Sequence, residues 1–115
     1  MTPQETFDRV VAHLRAQGIK SMDKNGCMYR GPNGTSCAVG CLIEDSEFSP
    51  ILERRTINGL LSANDTPLTI KERLIPHHIL LQWLQNAHDN YDVEDWEKRF
   101  QSVAERFNLI YTPKQ

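Results

Sequence analysis

Hydrophobic residues near the start of the chain recur at the spacing of an amphipathic helix. The positions that share one helical face are Phe7, Val10, Val11 and Leu14. Thr2 and Glu5 have the spacing of a capping box, and Pro3 falls at the first helical position between them. Gly18 follows the last apolar residue and is suited to end a helix in the left-handed conformation. The pattern therefore predicts a first helix between Thr2 and Gly18.

The second half of the chain carries two longer apolar stripes of the same period. Pro76 is suited to the first turn of a helix whose apolar face is formed by Leu80, Leu81, Leu84, Ala87, His88 and Tyr91. After a loop at residues 90–92, Asp92 is predicted to cap the last helix. The stripe of that helix consists of Val93, Trp96, Phe100, Val103, Ala104 and Phe107. With a stop at Asn108, these patterns predict two antiparallel helices joined by a short loop.

Turn-forming residues dominate the segment that follows the first helix. Two turn signals, at residues 23–26 and 31–34, bracket residues 27–30 and predict a short β-hairpin or small meander. Ser36 is then predicted to cap a short apolar helix over residues 37–43. The small side chains of that helix indicate that another part of the chain packs closely against it.

Shorter helical turns are expected between the cysteine-containing segment and the C-terminal pair, after Ser49, after Thr56 and over residues 70–75. No internal repeat, low-complexity tract or linker interrupts the chain, so residues 1–115 are expected to form a single globular domain. The predicted fold class is mainly α (α+β): a small helical domain with one short β-hairpin inserted after the first helix.

Composition and charge narrow the function classes. The 115 residues are 39% hydrophobic and 24% charged, which is a globular composition rather than a disordered one. Thirteen basic and fifteen acidic residues give a net charge of −2, which argues against direct binding to nucleic acid or to a membrane surface. No apolar run is long enough for a membrane span. Three cysteines, an odd number, argue against a disulfide scaffold and favour a reducing, cytoplasmic location.

Cys37 is the first candidate for chemistry. At the start of a predicted helix, the free backbone N–H groups and the helix dipole would favour its thiolate. A cysteine-dependent hydrolase or transferase would need His88 as the base and an acidic partner to orient it. Asp89 is expected not to face His88, because adjacent residues on a helix point in different directions. The alternative interpretation is that Cys37 is a small buried hydrophobic residue.

A structural zinc site is the second candidate. Cys37 and Cys41 would share a helix face, and the predicted hairpin could bring Cys27 beside them, with a histidine as fourth ligand. The spacing of the three cysteines matches no zinc knuckle or ribbon, and packing of reduced thiols is the competing explanation. No cofactor or metal is therefore expected, and zinc stays as an alternative.

Acidic residues around the start of the last helix form the third candidate. This group contains Asp89, Asp92, Glu94, Asp95 and Glu97. The negative charges of this group either stabilise the N-terminus of the helix while facing solvent, or they form a partner-binding surface. Trp83 lies off the apolar stripe of its helix, and a second core contact is expected for it, an exposed anchor for a partner being the alternative. The basic residues Arg54, Arg55, Lys71 and Arg73 are expected to form a solvated face.

Residues 27–43, with the pattern Cys-x-Tyr-Arg-Gly followed by Cys-Ala-Val-Gly-x-Leu-Ile, resemble the signature of a family of small proteins encoded by bacteriophages, prophages and their hosts. In that family a Leu-Gln-x-x-His-Asp element follows, as at residues 84–89 here, and the likeness extends over residues 7–107. The chain departs from the family at residues 44–45, where a proline-acidic turn is expected, and at residues 62–67, which are hard to align. The resemblance implies a phage or mobile-element origin and no particular reaction.

Small phage proteins often bind and block a host protein, including components of antiviral defence. The resemblance therefore implies a non-enzymatic protein-binding module that inhibits a host complex in the manner of an anti-CRISPR protein. Its partner would be a host protein or protein complex, and the oligomeric state is left open. The residues expected to form the partner-binding surface are Asp92, Glu94, Asp95, Glu97 and Asn33, the last at the predicted hairpin tip.

Overall fold

Five α-helices and one two-stranded hairpin organise the chain, whose structure is a computed structural model that describes residues 1–115. The helices are α1 (Pro3–Gln17), α2 (Ile57–Ser62), α3 (Leu68–Leu74), α4 (His78–Asn90) and α5 (Trp96–Arg106). The antiparallel strands are β1 (Met22–Asp23) and β2 (Gly26–Cys27). The α-helices, together with five short 3₁₀ helices, account for 58% of the residues, which confirms the predicted fold class. None of the helices combines the length and apolar character needed to cross a membrane.

Helix α1 begins and ends where the sequence predicts. The Thr2 hydroxyl accepts a hydrogen bond from the Glu5 amide at 3.0 Å, and the Glu5 carboxylate accepts one from the Thr2 amide at 2.9 Å. Gly18 ends the helix at a φ of 70°, a conformation that costs a glycine little. The buried face consists of Thr6, Phe7, Val10, Val11 and Leu14. Local capping and one apolar stripe are therefore enough to specify this helix.

Helices α4 and α5 pack as the predicted antiparallel pair. The rings of His88 and Trp96 lie 5.6 Å apart near the connecting loop, and those of Trp83 and Phe107 lie 6.1 Å apart at the far end. Asn108, at a φ of 60°, terminates α5 in the left-handed conformation as expected. The two helices form the most regular part of the core.

The predicted capping role of Asp92 was wrong. A 3₁₀ turn, Val93–Asp95, precedes α5, and the Asp92 side chain makes no capping hydrogen bond. The Asp95 amide instead donates to the Asp92 backbone carbonyl at 2.8 Å. The tight turn satisfies this amide with a backbone oxygen, so the carboxylate of Asp92 stays in solvent.

The hairpin follows the first helix as predicted, but its tip is not near Asn33. Strands β1 and β2 pair Met22 with Cys27 and Asp23 with Gly26, so only residues 24–25 form the tip. Asn33 lies further along the chain, in a separate 3₁₀ turn with a φ of 60°. That turn closes on itself, because the Thr35 amide donates to the carbonyl of Pro32.

The segment that follows, residues 37–43, does not form the predicted α-helix. It makes a turn and then a 3₁₀ helix, Gly40–Leu42, and Ser36 caps nothing. The Val39 amide donates to the Gln85 side chain at 2.9 Å, a long-range bond that outweighs local helix formation. A Cβ placed on Gly40 would lie 2.2 Å from the carbonyl oxygen of Tyr29. The expected close packing is therefore present, and a neighbouring stretch of backbone supplies it.

Gly40→Ala should destabilise the protein by about 3 kcal/mol or more, because the added methyl group overlaps a backbone oxygen that cannot move alone. Urea denaturation followed by circular dichroism measures the change. Gly59→Ala is the matched control, since its methyl group would lie 3.3 Å from the Thr56 hydroxyl inside α2. This control should stay within about 1 kcal/mol of the parent. Equal effects of the two substitutions would contradict the backbone contact.

A carboxylate joins the turn before the 3₁₀ helix Pro50–Leu52 to α3. Glu47 accepts two hydrogen bonds from the Arg73 guanidinium, at 2.8 and 2.9 Å, and one from the Thr69 hydroxyl. Its side chain is 9% exposed. The hydrogen bonds from Arg73, reinforced by those from Thr69 and the Glu44 amide, lower the pKa of Glu47 to about 2.

Glu47→Gln should reduce the acid sensitivity of folding. Because the pKa of Glu47 is lower in the folded protein, its ionised carboxylate stabilises the fold at pH values above 4.5, the pKa of the group in the unfolded chain. This stabilisation is lost as the pH falls toward 2. The substitution should cost about 3 kcal/mol at most at pH 7, and its effect should vanish near pH 2. Denaturation at several pH values measures both quantities. Glu72→Gln, on the exposed side of α3, should follow the parent at every pH; a Glu47→Gln curve parallel to the parent would refute the assignment.

Candidate functional site

A cleft of about 310 Å³ lies between the cysteine-containing segment and the end of α4. The hairpin contributes Cys27, the following segment contributes Tyr29 and Cys37, and α4 contributes Gln85, Asp89 and Asn90. The opposite wall is formed by residues 53–57. Parts of the chain that are distant in sequence therefore meet at this cleft, including residues from 27–37 and from 85–90.

The ring of His88 is fully buried beside the cleft, and both of its nitrogens are occupied. The Ser21 amide donates to Nε2 at 3.0 Å, so Nε2 must be the unprotonated nitrogen. The other nitrogen, Nδ1, therefore carries the proton and donates it to the Asp89 carboxylate at 2.7 Å. This arrangement leaves no lone pair on the ring with which to accept a proton from a cysteine.

The expectation that Asp89 does not face His88 was wrong. Adjacent helix residues are about 100° apart, and here the carboxylate and the ring meet across that angle. The same carboxylate oxygen also accepts a hydrogen bond from Gln85 at 2.7 Å, and Gln85 in turn accepts one from the Val39 amide. Asp89 thus orients the histidine and connects α4 to the cysteine-containing segment.

The surroundings of all three cysteines favour the protonated thiol over the thiolate. Burial raises the pKa of Cys37 to about 12, and its sulfur accepts a hydrogen bond from the Gly40 amide at 3.3 Å. Burial and then the charge of Asp89 raise the pKa of Cys27 to about 11. Burial also raises the pKa of Cys41 to about 11, and its thiol donates to the Ala38 carbonyl. Because Cys37 begins no helix, the dipole expected to activate it is missing.

The structure does not gather the three cysteines into one set of metal ligands. The ligand atoms of Cys27, His88 and Asp89 lie within 4.8 Å of one another, and Cys37 and Cys41 do not join that group. Metal binding through Nδ1 would require Nε2 to carry the proton, facing the Ser21 amide donor. The group fits a hydrogen-bonded cluster better than a zinc site.

Three of the predicted partner-binding residues form an acidic turn, which we define as Asp92, Glu94 and Asp95. Their carboxylate oxygens lie within 4.8 Å of one another, and none makes an ion pair within the chain. Glu97 differs from them, because its carboxylate accepts hydrogen bonds from Arg15 at 2.6 and 3.0 Å and from the Tyr111 hydroxyl. The fifth residue, Asn33, is exposed in its own turn and shares no hydrogen bond with the acidic turn.

The expectation that Trp83 is a core contact was wrong. Its side chain is 42% exposed and packs edge-on against Phe107, with the Arg106 guanidinium 5.4 Å from its ring. Ile75 and Ile79 are exposed by 49% and 46%, respectively, and precede it at intervals of four residues. We call these three side chains the α4 ridge. The four-residue spacing of these side chains is present in the sequence, but the apolar stripe on the buried face of α4 is the stronger pattern there.

The sequence interpretation missed the wall of the cleft opposite α4. Glu53 accepts hydrogen bonds from the amides of Tyr29 and Arg30, at 2.8 and 3.1 Å. Arg54 and Arg55 lie at the surface, as expected of a solvated face, and form ion pairs there with Asp23 and Asp65. No pattern along the chain connects residue 53 to residues 29–30, so only the folded structure reveals this contact.

No family model, curated protein or solved structure matches this chain. The functional interpretation therefore depends on the geometry of the chain and on the residues themselves.

The folded protein should react slowly with iodoacetamide at pH 7.5. Raised thiol pKa values and burial leave little thiolate, with Cys37 the slowest of the three. Mass spectrometry of time points measures the rate at each cysteine. The unfolded protein in urea provides the control and should take up three equivalents quickly. Rapid, selective modification of Cys37 in the folded protein would restore the hydrolase or transferase alternative.

Proposed function

We propose that this protein is a non-enzymatic protein-binding module whose partner presents a basic surface with an apolar centre. The observation that carries the proposal is the acidic turn, an unpaired group of three carboxylates, together with the α4 ridge. These two features supply charge and apolar area, the combination that protein interfaces use.

The acidic turn favours a basic partner. Its three carboxylates repel one another, and no lysine or arginine of the chain neutralises them. Lysine or arginine side chains of a partner would relieve this repulsion and would also speed association by electrostatic steering. Acidic clusters on the surface of a small domain are usually solvated, so negative charge alone does not identify a partner-binding surface.

The α4 ridge supplies the second part of the argument. Trp83 and Ile79 lie one turn apart on α4, and Ile75 precedes them in the 3₁₀ helix Ile75–His77. Tryptophan is among the residue types most enriched as energetic anchors of interfaces. Trp83 and Tyr91 border the same small cavity of about 50 Å³, and Tyr91 directly precedes the acidic turn. The ridge and the acidic turn are therefore candidates for a single continuous surface.

The family resemblance supports a protein of the host cell as the partner. A phage or mobile-element origin favours a host protein, including a component of an antiviral defence complex. The cysteine-dependent alternative is not favoured, because His88 has no free nitrogen and the thiols have raised pKa values.

The test is affinity capture from bacterial lysates, with and without phage infection, read by quantitative mass spectrometry. The unmodified protein and the variant Asp92→Lys/Glu94→Lys/Asp95→Lys serve as baits. Reversing the three charges should lower recovery of a true partner by about tenfold or more, because attraction to a basic surface becomes repulsion. A partner recovered equally well by both baits would remove the acidic turn from the proposal.

Two controls separate this surface from general effects. Glu44→Lys/Glu72→Lys/Glu105→Lys changes the net charge by the same amount at exposed positions elsewhere and should retain the partner. Ile79→Ser on the α4 ridge should weaken capture, whereas Ile51→Ser, at an isoleucine that is 56% exposed, should not. Circular dichroism of each bait shows that the fold is intact.

A further inference from the structure

We propose that the groove between α1 and the chain's own residues 109–112 is a binding site for an extended peptide segment of a partner protein. We call residues 109–112 the C-terminal segment; it lies in this groove and displays the chemistry of the ligand. The ligand class is a peptide with an apolar residue and a tyrosine on either side of one exposed residue, as in Leu109-Ile110-Tyr111. The groove uses no residue of the acidic turn or the α4 ridge, so the proposal goes beyond the proposed function and does not depend on it.

Gln4 recognises the backbone of the C-terminal segment. Its side-chain amide accepts a hydrogen bond from the Ile110 N–H at 2.8 Å and donates one to the Ile110 carbonyl at 3.0 Å. The same NH₂ group donates to the Asp8 carboxylate at 2.9 Å, which holds the amide in this orientation. Paired bonds to the N–H and C=O of one residue are those with which a β-strand binds an added strand. Ile110 is 73% exposed, so this contact does not depend on the identity of its side chain.

The side chains on either side of Ile110 face the protein. Leu109 and Tyr111 are half-buried against the hydrophobic core, whereas Ile110 between them is exposed. Burial that alternates from one residue to the next is the pattern of an extended chain. The Tyr111 hydroxyl also donates to the Glu97 carboxylate at 2.7 Å. Backbone bonds thus supply affinity for an extended peptide, and the two flanking side chains supply specificity.

Arg15 extends the backbone recognition to the end of the C-terminal segment. Its guanidinium donates to the Thr112 carbonyl at 2.8 Å and lies 5.8 Å from the centre of the Tyr111 ring. The Glu97 carboxylate accepts two further hydrogen bonds from this guanidinium, at 2.6 and 3.0 Å, and so fixes its position. Gln4 and Arg15, the two donors on α1, are therefore oriented by carboxylates of the fold and need little ordering when a peptide binds.

The C-terminal segment does not fill the groove. A cavity of about 250 Å³ remains between α1 and the segment. The α1 side chains that line it are Phe7, Asp8, Val11, Ala12 and Arg15. Together with the space that the segment itself takes up, this volume gives room for a ligand larger than residues 109–112. A partner peptide with an additional apolar side chain would fill the cavity and bind more tightly than the segment does.

Only a few contacts hold the C-terminal segment in place. Residues 109–115 form no helix or strand, and Asn108 separates them from α5 in the left-handed conformation. Release of the segment would break its bonds to Gln4, Arg15 and Glu97 without unfolding a helix. Because the segment is tethered, it competes with a free peptide at an effective concentration on the order of millimolar. A ligand must therefore exceed the segment in affinity, or the segment must first be weakened.

The test is fluorescence anisotropy of a labelled peptide with the sequence of residues 108–115, titrated with the full-length protein. Ile110→Pro in the protein removes the N–H that bonds to Gln4 and retains both core-facing neighbours, so the segment competes less well. This variant should bind the peptide about tenfold more tightly than the parent protein does. Circular dichroism verifies its fold. Equal binding by variant and parent, or no saturable binding to the variant at millimolar concentration, would overturn the proposal.

Further variants locate the peptide on α1. Gln4→Ala, added to Ile110→Pro, removes both bonds to the peptide backbone and should weaken peptide binding about tenfold. Gln101→Ala makes the same change at an exposed position of α5 and should leave the affinity unaltered. A peptide that itself carries Ile110→Pro should bind about tenfold more weakly than the unmodified peptide. Unaltered affinities with Gln4→Ala and with the proline peptide would refute backbone recognition by α1.

Sedimentation equilibrium of the parent protein distinguishes a partner protein from a second copy as the source of the peptide. A monomer at high micromolar concentration supports a partner protein, since the segments of two copies do not then exchange. A dimer that the peptide converts to monomer would show that a second copy fills the groove, and it would overturn the proposal. Asp92→Lys/Glu94→Lys/Asp95→Lys should bind the peptide as the parent does, so the peptide site and the proposed function can fail independently.

Discussion

The buried imidazole of His88 is the interaction on which the rest of the structure depends. A polar ring in a fully buried position is costly unless each nitrogen has a partner, and here the Ser21 amide and Asp89 provide both. The first bond holds the chain that leaves α1 against α4, and the second orients a carboxylate toward the cleft. Asp89 also accepts a hydrogen bond from Gln85, and Gln85 accepts one from the Val39 amide. One histidine thus links three segments that local structure alone would not bring together.

The same hydrogen bonds decide the chemistry. A histidine acts as a base only if a ring nitrogen has a free lone pair near the group to be deprotonated. In this protein the Ser21 amide uses that lone pair, and the buried cysteines keep their protons. The pair His88–Asp89 therefore resembles part of a catalytic triad in composition, while its connections are those of a structural network.

Capping residues and apolar stripes in the sequence predicted the helices that are specified mainly by contacts between residues close along the chain. Helix α1 carries its own cap, stripe and stop, and α5 ends at Asn108 as its sequence indicates. The predicted helix over residues 37–43 does not form, because the Val39 amide donates to Gln85 and Gly40 must lie against the Tyr29 backbone. Of the site, the sequence identified His88 and the acidic turn as candidates. It missed Glu53, since a carboxylate that accepts amides from residues 29 and 30 leaves no periodic signal.

The distribution of ion pairs explains how a nearly neutral chain presents an acidic surface. Five arginines are engaged within the fold, in the pairs Arg15–Glu97, Arg30–Asp45, Arg54–Asp23, Arg55–Asp65 and Arg73–Glu47. These pairs remove five positive and five negative charges, so the net charge of the remaining groups is still −2. Among the carboxylates that no lysine or arginine pairs with, the three of the acidic turn lie within 4.8 Å of one another. Since like charges repel and no ion pair within the chain neutralises the acidic turn, its three carboxylates favour a positively charged partner.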